Sequence, residues 1–379
     1  MSTLKVNKIE NTATTDGGIE IDNTGHVQID GVQLPTTGAL SNRNKIINGD
    51  MRIDQRNAGA SVTPGSSAYT LDRWQLSIGV SSKLSVQQSA TAPTGFTNSV
   101  LLTSTSAYTP SASNYISYCQ KVEGYNFADM MWGTASAKTV TLSFWVRSSL
   151  TGTFSGALQN DGAGRSYPFT FTISAANTWE QKSVTVAGDT SGTWNTTNGK
   201  GVEIHFNMGS GSNLLGTAGA WDSAWRTGAT GSVALVGTSG ATFYITGVQL
   251  EVGSVATPFE HRSYGDELAR CQRYFTKIRL GDSNNVVHLP MSRFEANAGV
   301  AFANVQLPVE MLQNPNFTFT GATHSSSGYA GNPVASTSTT NCIELRSTRT
   351  CSANAILFLR APTTADGFDV LELDLDAEL

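Results

Sequence analysis

TVTLSFWVRS, residues 139–148, alternates with a period of two: Val140, Leu142, Phe144 and Val146 fall on one face, Trp145 and Arg147 on the other. Successive side chains of a strand point to opposite sides of its sheet, so the run predicts a strand with one face on a core and the other in solvent. Comparable runs extend to both sides of it. DRWQLSI, KLSVQQS, NSVLLTS, YISYCQKV, GTFSGALQN, YPFTFTI, WEQKSVTVAG, KGVEIHFNM and ATFYITGVQLEV are separated by turns bearing Gly, Ser, Asn and Pro. Short strands with this punctuation predict an all-β fold with a central antiparallel jelly roll or β-sandwich over residues 44–262, no strand of which is buried on both faces.

The chain has 379 residues, enough for two or three domains with cores of their own. Only 14% are charged, against the usual quarter, while glycine reaches 37 residues and Ser, Thr and Asn crowd nearly every segment. Such a composition describes a polar, weakly charged surface and argues against disorder, which needs more charge and fewer aromatics. A net charge of −5 provides no basic footprint for nucleic acid. No segment approaches a membrane span, and MSTLKVNKIE has no apolar stretch of signal-peptide length, so folding in a cytoplasm without membrane insertion is expected. The cysteines, Cys119, Cys271, Cys342 and Cys351, show neither CxxC spacing nor nearby histidine clusters. Free thiols are the default in a reducing compartment, with a Cys342–Cys351 bridge across a hairpin near 346–348 as the alternative.

Residues 1–43 hold short alternating runs, LKVNKI, GIEID and HVQIDGVQL, whose Ile19, Ile21, Val27, Ile29, Val32 and Leu34 suit one apolar face. So few apolar groups cannot close a monomeric core; sharing it among chains, as an intertwined β stalk, is the expected solution, and a floppy arm is the alternative. PTTGALSNRN marks the boundary that follows. Within 263–379, SYGDELARCQRYFTKI reads as a connecting helix, with Asp266 and Glu267 in its first turn and Leu268, Cys271 and Phe275 on one stripe. NVVHLPM, GVAFANVQLP, NFTFTGA, NCIELRS, AILFLRA and FDVLELDLDAEL then predict a second, smaller β-sandwich domain. In the last of these, Leu371, Leu373, Leu375 and Ala377 alternate with Glu372, Asp374, Asp376 and Glu378.

Two segments carry a family resemblance. NKIINGDMRIDQR (44–56), with YTLDRW at 69–74, and FYITGVQLEVGSVATPFEHRSYGDELARCQRYF (243–275) together resemble the opening and closing segments of the jelly-roll domain in phage and prophage tail-fibre proteins. QLPVEM, NPNFTFTG and the terminal DAEL look similar to the same family, and STLKVNKIENTATTDGGIEID resembles openings of virion structural proteins of marine and cyanobacterial phages. The resemblance implies a homotrimeric tail fibre, made in the host cytoplasm and fixed to phage tail proteins through residues 1–43. It implies adhesion to a host-surface glycan or protein receptor, with avidity from several copies. A non-binding spacer or decoration protein of the virion is the alternative, and a glycan depolymerase a further one. The NGDM opening and VQLE closing strand also look like the ends of carbohydrate-binding modules that hold a structural calcium, which singles out Asp50 and Glu251 as its oxygen ligands.

The residues themselves offer no nucleophile elbow, phosphate-binding loop or HExxH motif. The histidines are scattered, and His205, in VEIHFNM, reads as structural or surface. Glu123, Asp129, Asp161, Asp189 and Asp222 are the carboxylates available for glycoside chemistry, although with 29 acidic residues some pairing is inevitable. Sugar binding calls for aromatic faces flanked by amides and carboxylates. The loop-like segments supply Trp194 beside Asn195, then Trp221 and Trp225 flanking Asp222, and Trp132, with loop packing or a subunit interface as the alternative role. Trp74, in LDRWQLS, reads as a strand-borne core residue.

Overall fold

A computed structural model describes residues 8–10, 18–21, 25–30, 32–34, 41–281, 286–289, 291–295, 300–320, 334–338, 342–346, 357–360 and 371–379. The chain divides into two units, Met1–Arg262 and Ser263–Leu379. The first begins with a small antiparallel meander of β1 (Lys8–Glu10), β2 (Gly18–Ile21), β3 (Val27–Ile29) and β4 (Val32–Gln33). Its register puts Ile9 beside Ile19, Ile19 beside Ile29, Ile29 beside Val32 and Ile21 beside Val27, so the alternation gathers these side chains on one face. Among the described residues that face stays open: the six are between 38% and 59% exposed.

The remainder of the first unit is a two-sheet sandwich. Its strands are β5 (Ala68–Leu71), β6 (Trp74–Ile78), β7 (Leu84–Ser89), β8 (Ser99–Ser104), β9 (Tyr115–Glu123), β10 (Val140–Ser148), β11 (Gly152–Asn160), β12 (Ser166–Ile173), β13 (Glu180–Val186) and β14 (Lys200–Ser210), then the two-residue β15 (Leu215–Gly216) and β16 (Gly228–Ala229), and β17 (Thr242–Val252). One sheet runs β13-β10-β17-β8-β7 and the other β12-β11-β14-β9-β6-β5, with every pairing antiparallel. Val140, Leu142, Phe144 and Val146 of β10 are fully buried, as their alternation predicts. They meet Val202, Ile204 and Phe206 of β14 and Phe169 and Phe171 of β12 in one core. Each large apolar side chain buried this way contributes roughly 1.5–3 kcal/mol. Trp74 is wholly buried, stacked on Tyr118 at 5.5 Å, in the core role its strand position predicts.

The opening and closing segments lie against one another. Lys45 N donates to Leu250 O and Val248 N to Gly49 O, while Asn44 Oδ1 accepts from Leu250 N and its Nδ2 donates to Val248 O. Arg262 Nη1 donates to Ile46 O. Within the opening, Asn48 adopts φ 56°, the left-handed region that Asn tolerates. Its buried amide donates to Ile53 O and Asp72 O and accepts from Ile53 N, and its own carbonyl accepts the Trp74 indole N–H. The NGD turn and the LDRW strand are therefore tied at one residue.

Two expectations are corrected. Several strands are buried on both faces: β14 is buried from Gly201 to Gly209, and β9 and β11 nearly as fully. The cause is residues 211–241, which fold back over the six-stranded sheet. Gly219 N donates to Pro168 O, Asp222 N to Ser166 O, Val233 N to Thr153 O, and Ser155 Oγ to Ser232 Oγ. The same sheet carries a buried polar row, Ser117, Cys119, Gln159, Glu203, His205 and Asn207, whose last member meets Ser232 of this cover. Burial raises the Cys119 thiol well above its usual pKa. For Glu203 burial pushes the same way, but His205, Lys200 and Lys121 outweigh it and hold the carboxyl at about 2.

The second correction concerns the helix of the second unit. α1 (Gly124–Phe127) is a single turn in the sandwich, and α2 (Tyr264–Gln272) ends before Phe275, which instead opens β18 (Phe275–Gly281). Ser263 caps α2, its Oγ accepting from Asp266 N, and Cys271 is buried. β18 pairs with Leu371–Asp376, which pairs with Asn316–Thr320. In that last strand Leu375 is buried and Asp374 and Asp376 are partly exposed, following the acidic–apolar alternation. Cys342 lies in a strand beside Val334–Ser338, and Cys351 lies outside the described residues.

Candidate functional site

The outer face of the five-stranded sheet carries an open cleft of about 620 Å³, within the range of small-ligand sites. Its floor is Trp145, which the alternation of β10 turns away from the core, half-buried beside Gln181 of β13 and Thr246 of β17. Opposite it β17 carries one extra residue between Thr246 and Gln249. Gly247 sits there at φ 62°, where a Cβ would stand 2.7 Å from Phe96 Cζ and 3.1 Å from Trp145 Cδ1. Glycine is what lets the two rings approach the strand together.

Phe96, from the loop between β7 and β8, forms one wall with Phe259 and His261 of the segment after β17. Ring centroids lie 5.1 Å apart for Phe96–Phe259, 5.3 Å for Phe96–His261 and 4.9 Å for Phe259–His261. Gln181 and Ser183 expose an amide and a hydroxyl on the β13 side, and Val32 and Gln33 of β4 line another. Further along the sheet, Arg147 holds its guanidinium 5.0 Å over Tyr244, with Trp179 6.1 Å from the same ring. The arrangement pairs apolar ring faces with hydrogen-bonding side chains, which is what a pyranose ring with its C–H patches and hydroxyls requires.

The segment carrying Phe259 and His261 is anchored by buried polar groups. Glu251 accepts from Thr257 N at 2.9 Å, from Thr257 Oγ1 at 2.7 Å and from Gln249 Nε2 at 2.9 Å. Arg43 Nε donates to Thr257 Oγ1 and stands 3.5 Å from Glu251 Oε2, and Gln249 Oε1 accepts from Glu260 N. Glu251 thus acts as an anchor for the cleft wall. Asp50, for its part, is ion-paired with Arg52. Two carboxylates each matched by a guanidinium do not fit a calcium site, whose ligands are oxygens gathered round the ion.

The tryptophans singled out from the sequence lie elsewhere. Trp194 is 7% exposed, edge-on to Trp132 at 4.8 Å and Trp221 at 5.6 Å, and its indole N–H donates to Ser191 O. Trp221 also contacts Tyr167 at 5.2 Å, and its N–H donates to Ala187 O. The structure brings Trp132, Trp194 and Trp221 together at the margin of the main core, with the N–H of each spent on backbone. Asn195 Oδ1 closes its own turn, accepting from Thr197 N and Oγ1. Asp222 pairs with Arg226 at 2.7 Å, and Trp225 packs edge-on against Tyr115 at 5.0 Å. None of these six residues lines the cleft. The legible signal for the cleft was an aromatic on the solvent side of TVTLSFWVRS, together with the PFEH at residues 258–261.

Four of the five carboxylates considered for glycoside chemistry face cations: Asp129 with Lys45 at 2.7 Å, Asp161 with Lys200 at 3.7 Å, Asp189 with Arg165 at 2.7 Å, and Asp222 with Arg226. Glu123 is buried at the end of β9.

No protein-family model and no curated protein matches the chain. Among solved structures it is similar to a putative sugar binding protein from Bacteroides thetaiotaomicron, at 12% identity over 55% of this chain and 100% of that one, with a TM-score of 0.34. It is similar to the enzymatically active domain of tailspike protein 4 of bacteriophage CBA120, at 14% identity over 55% of this chain and 21% of that one, TM-score 0.31. The family 11 carbohydrate-binding module from Clostridium thermocellum, in complex with a mixed-linked tetrasaccharide, shares 13% identity over 52% of this chain and 97% of that one, TM-score 0.28. The chain thus spans about a fifth of the tailspike domain's length. Likenesses with TM-scores this low carry no argument about site or function.

Proposed function

We propose that this chain is a phage tail-fibre protein that binds a host-surface glycan in the cleft over Trp145. The observation that carries the reading is the convergence of Trp145, Phe96, Phe259 and His261 with Gln181 and Ser183 in an open, ligand-sized cleft. The resemblance of residues 44–56 and 243–275 to fibre jelly rolls supports a virion setting for that cleft. Adhesion is favoured over catalysis because Asp129, Asp161, Asp189 and Asp222 are each engaged by a lysine or arginine and none of them lines the cleft. In this reading residues 1–43 join phage tail proteins, and the exposed apolar face of β1–β4 packs against the same face of two further copies in a homotrimer.

The test is binding of the full-length protein to a panel of bacterial surface polysaccharides and defined oligosaccharides, compared with Trp145→Ala. Removal of a central aromatic contact costs roughly 2 kcal/mol, about a 30-fold loss of affinity. Binding unchanged in the variant refutes the cleft as the site. Absence of binding to every polysaccharide, to protein receptors and to host cells would favour the virion spacer or decoration role.

A further inference from the structure

The buried row on the six-stranded sheet contains a set of electron-pair donors that the glycan cleft, on the opposite sheet, does not use. Cys119 of β9 and His205 of β14 are cross-strand partners, and Glu203 lies two residues from His205 on the same face. Their Sγ, imidazole N and carboxylate O atoms all lie within 4.8 Å of one another, and all three residues are buried. From the geometry we infer that Cys119, His205 and Glu203 bind a single zinc ion or similar borderline-soft divalent cation, clamping β9 to β14.

The surroundings of the three donors suit that ion. His205 Nδ1 lies 2.9 Å from Ser117 Oγ, the outer contact that orients a ligating imidazole and leaves Nε2 facing inward. Nε2 stands 3.4 Å from Glu203 Oε1, while Glu203 Oε2 is held by Lys200 Nζ at 2.8 Å. Lys200 is itself 3.7 Å from Asp161, so its charge is shared with a second carboxylate. Independently of these three, Gln159 places its amide in the cluster. Its Nε2 is 2.5 Å from His205 Nε2 and 3.2 Å from Glu203 Oε2, and its buried Oε1 has no hydrogen-bond partner among the described residues. Turning that amide about its last torsion exchanges its oxygen and nitrogen and brings the orphaned Oε1 to the place beside His205 and Glu203 that Nε2 holds, where a cation takes the carbonyl, or a water bound to it, as fourth ligand. The mixed sulfur, nitrogen and oxygen set selects zinc or cobalt over calcium and magnesium. On binding, the Cys119 thiol loses its proton to solvent and ligates as thiolate.

The full-length protein, stripped with chelator and titrated with Co²⁺ both in the native state and during refolding, should develop an ultraviolet thiolate-to-cobalt charge-transfer band that saturates at one equivalent per chain. Zn²⁺ should bleach the band and raise the melting temperature, and Cys119→Ala should abolish both effects. Should that variant fail to fold, the Cys271→Ser/Cys342→Ser/Cys351→Ser chain, in which Cys119 is the sole thiol, must retain the band. A wild-type chain with no band under either loading regime, or a band that survives loss of Cys119, overturns the assignment.

Discussion

Asn48→Ala is the substitution that most directly tests how the opening segment closes the sandwich. The wild-type amide makes three hydrogen bonds, two donated to Ile53 O and Asp72 O and one accepted from Ile53 N, in a residue with no solvent exposure. Each is worth about 1 kcal/mol net. Alanine in the left-handed region, which Asn48 occupies at φ 56°, costs about 1 kcal/mol more. The expected loss is about 4 kcal/mol, a large share of the roughly 5–15 kcal/mol by which a domain is stable. All seven tryptophans lie between residues 74 and 225, so urea unfolding followed by tryptophan fluorescence reports on the sandwich alone. With a slope of about 2 kcal/mol per M, the midpoint should fall by about 2 M. Asn48→Gly accepts the backbone angle but not the hydrogen bonds and should lose about 3 kcal/mol. A loss below about 1 kcal/mol in Asn48→Ala would refute the claim that this residue ties the NGD turn to the LDRW strand.

Other outcomes follow from the same geometry. Gly247→Ala should lower glycan affinity with the fold retained, because its Cβ would displace Phe96 or Trp145; isothermal titration beside circular dichroism checks both halves. Glu251→Ala should release residues 253–262 while the sheets persist, read as faster amide exchange confined to that segment, and added calcium should leave the wild-type melting temperature unchanged. Glu180 carries a pH signature. Burial acts to raise its carboxyl, but Lys182 at 2.6 Å and the N–H groups of Ala175 and Ser174 outweigh it and hold the pKa below the ordinary value. A lowered folded-state pKa means stabilisation that is present above the unfolded value, near 4.5, and lost as pH falls below it. Glu180→Gln should therefore shrink the stability difference between neutral and acid pH, and an unchanged acid limb would count against the pairing. Finally, the full-length chain should have the solution mass of a trimer, and a chain beginning at Asn44 a weakened or monomeric state; a full-length monomer would rule out an autonomous shared core in β1–β4.

Alternation alone determined much of the architecture, because a strand's side-chain period is a local property of the backbone. The run at 139–148 specified which face of β10 is buried, and the small residues and turn signals specified many short antiparallel strands. The opening and closing segments were legible as a pair, and their contacts through Asn44, Gly49 and Arg262 supply the physical reason for it. Tertiary structure decided what lies on the other faces. Whether Trp194 and Trp221 meet a ligand or one another depends on where residues 161–241 fold, and their edge-to-face packing with Trp132 releases more ring surface from water than exposure in a loop would. The cleft joins Trp145, the loop at Phe96 and the segment at Phe259 only because Gly247 admits two rings and Glu251 anchors the wall. Cys119 is remote in sequence from Glu203 and His205 and became their neighbour through the pairing of β9 with β14. A register of that kind is set by the summed burial of the whole sheet, which no local stretch of residues encodes.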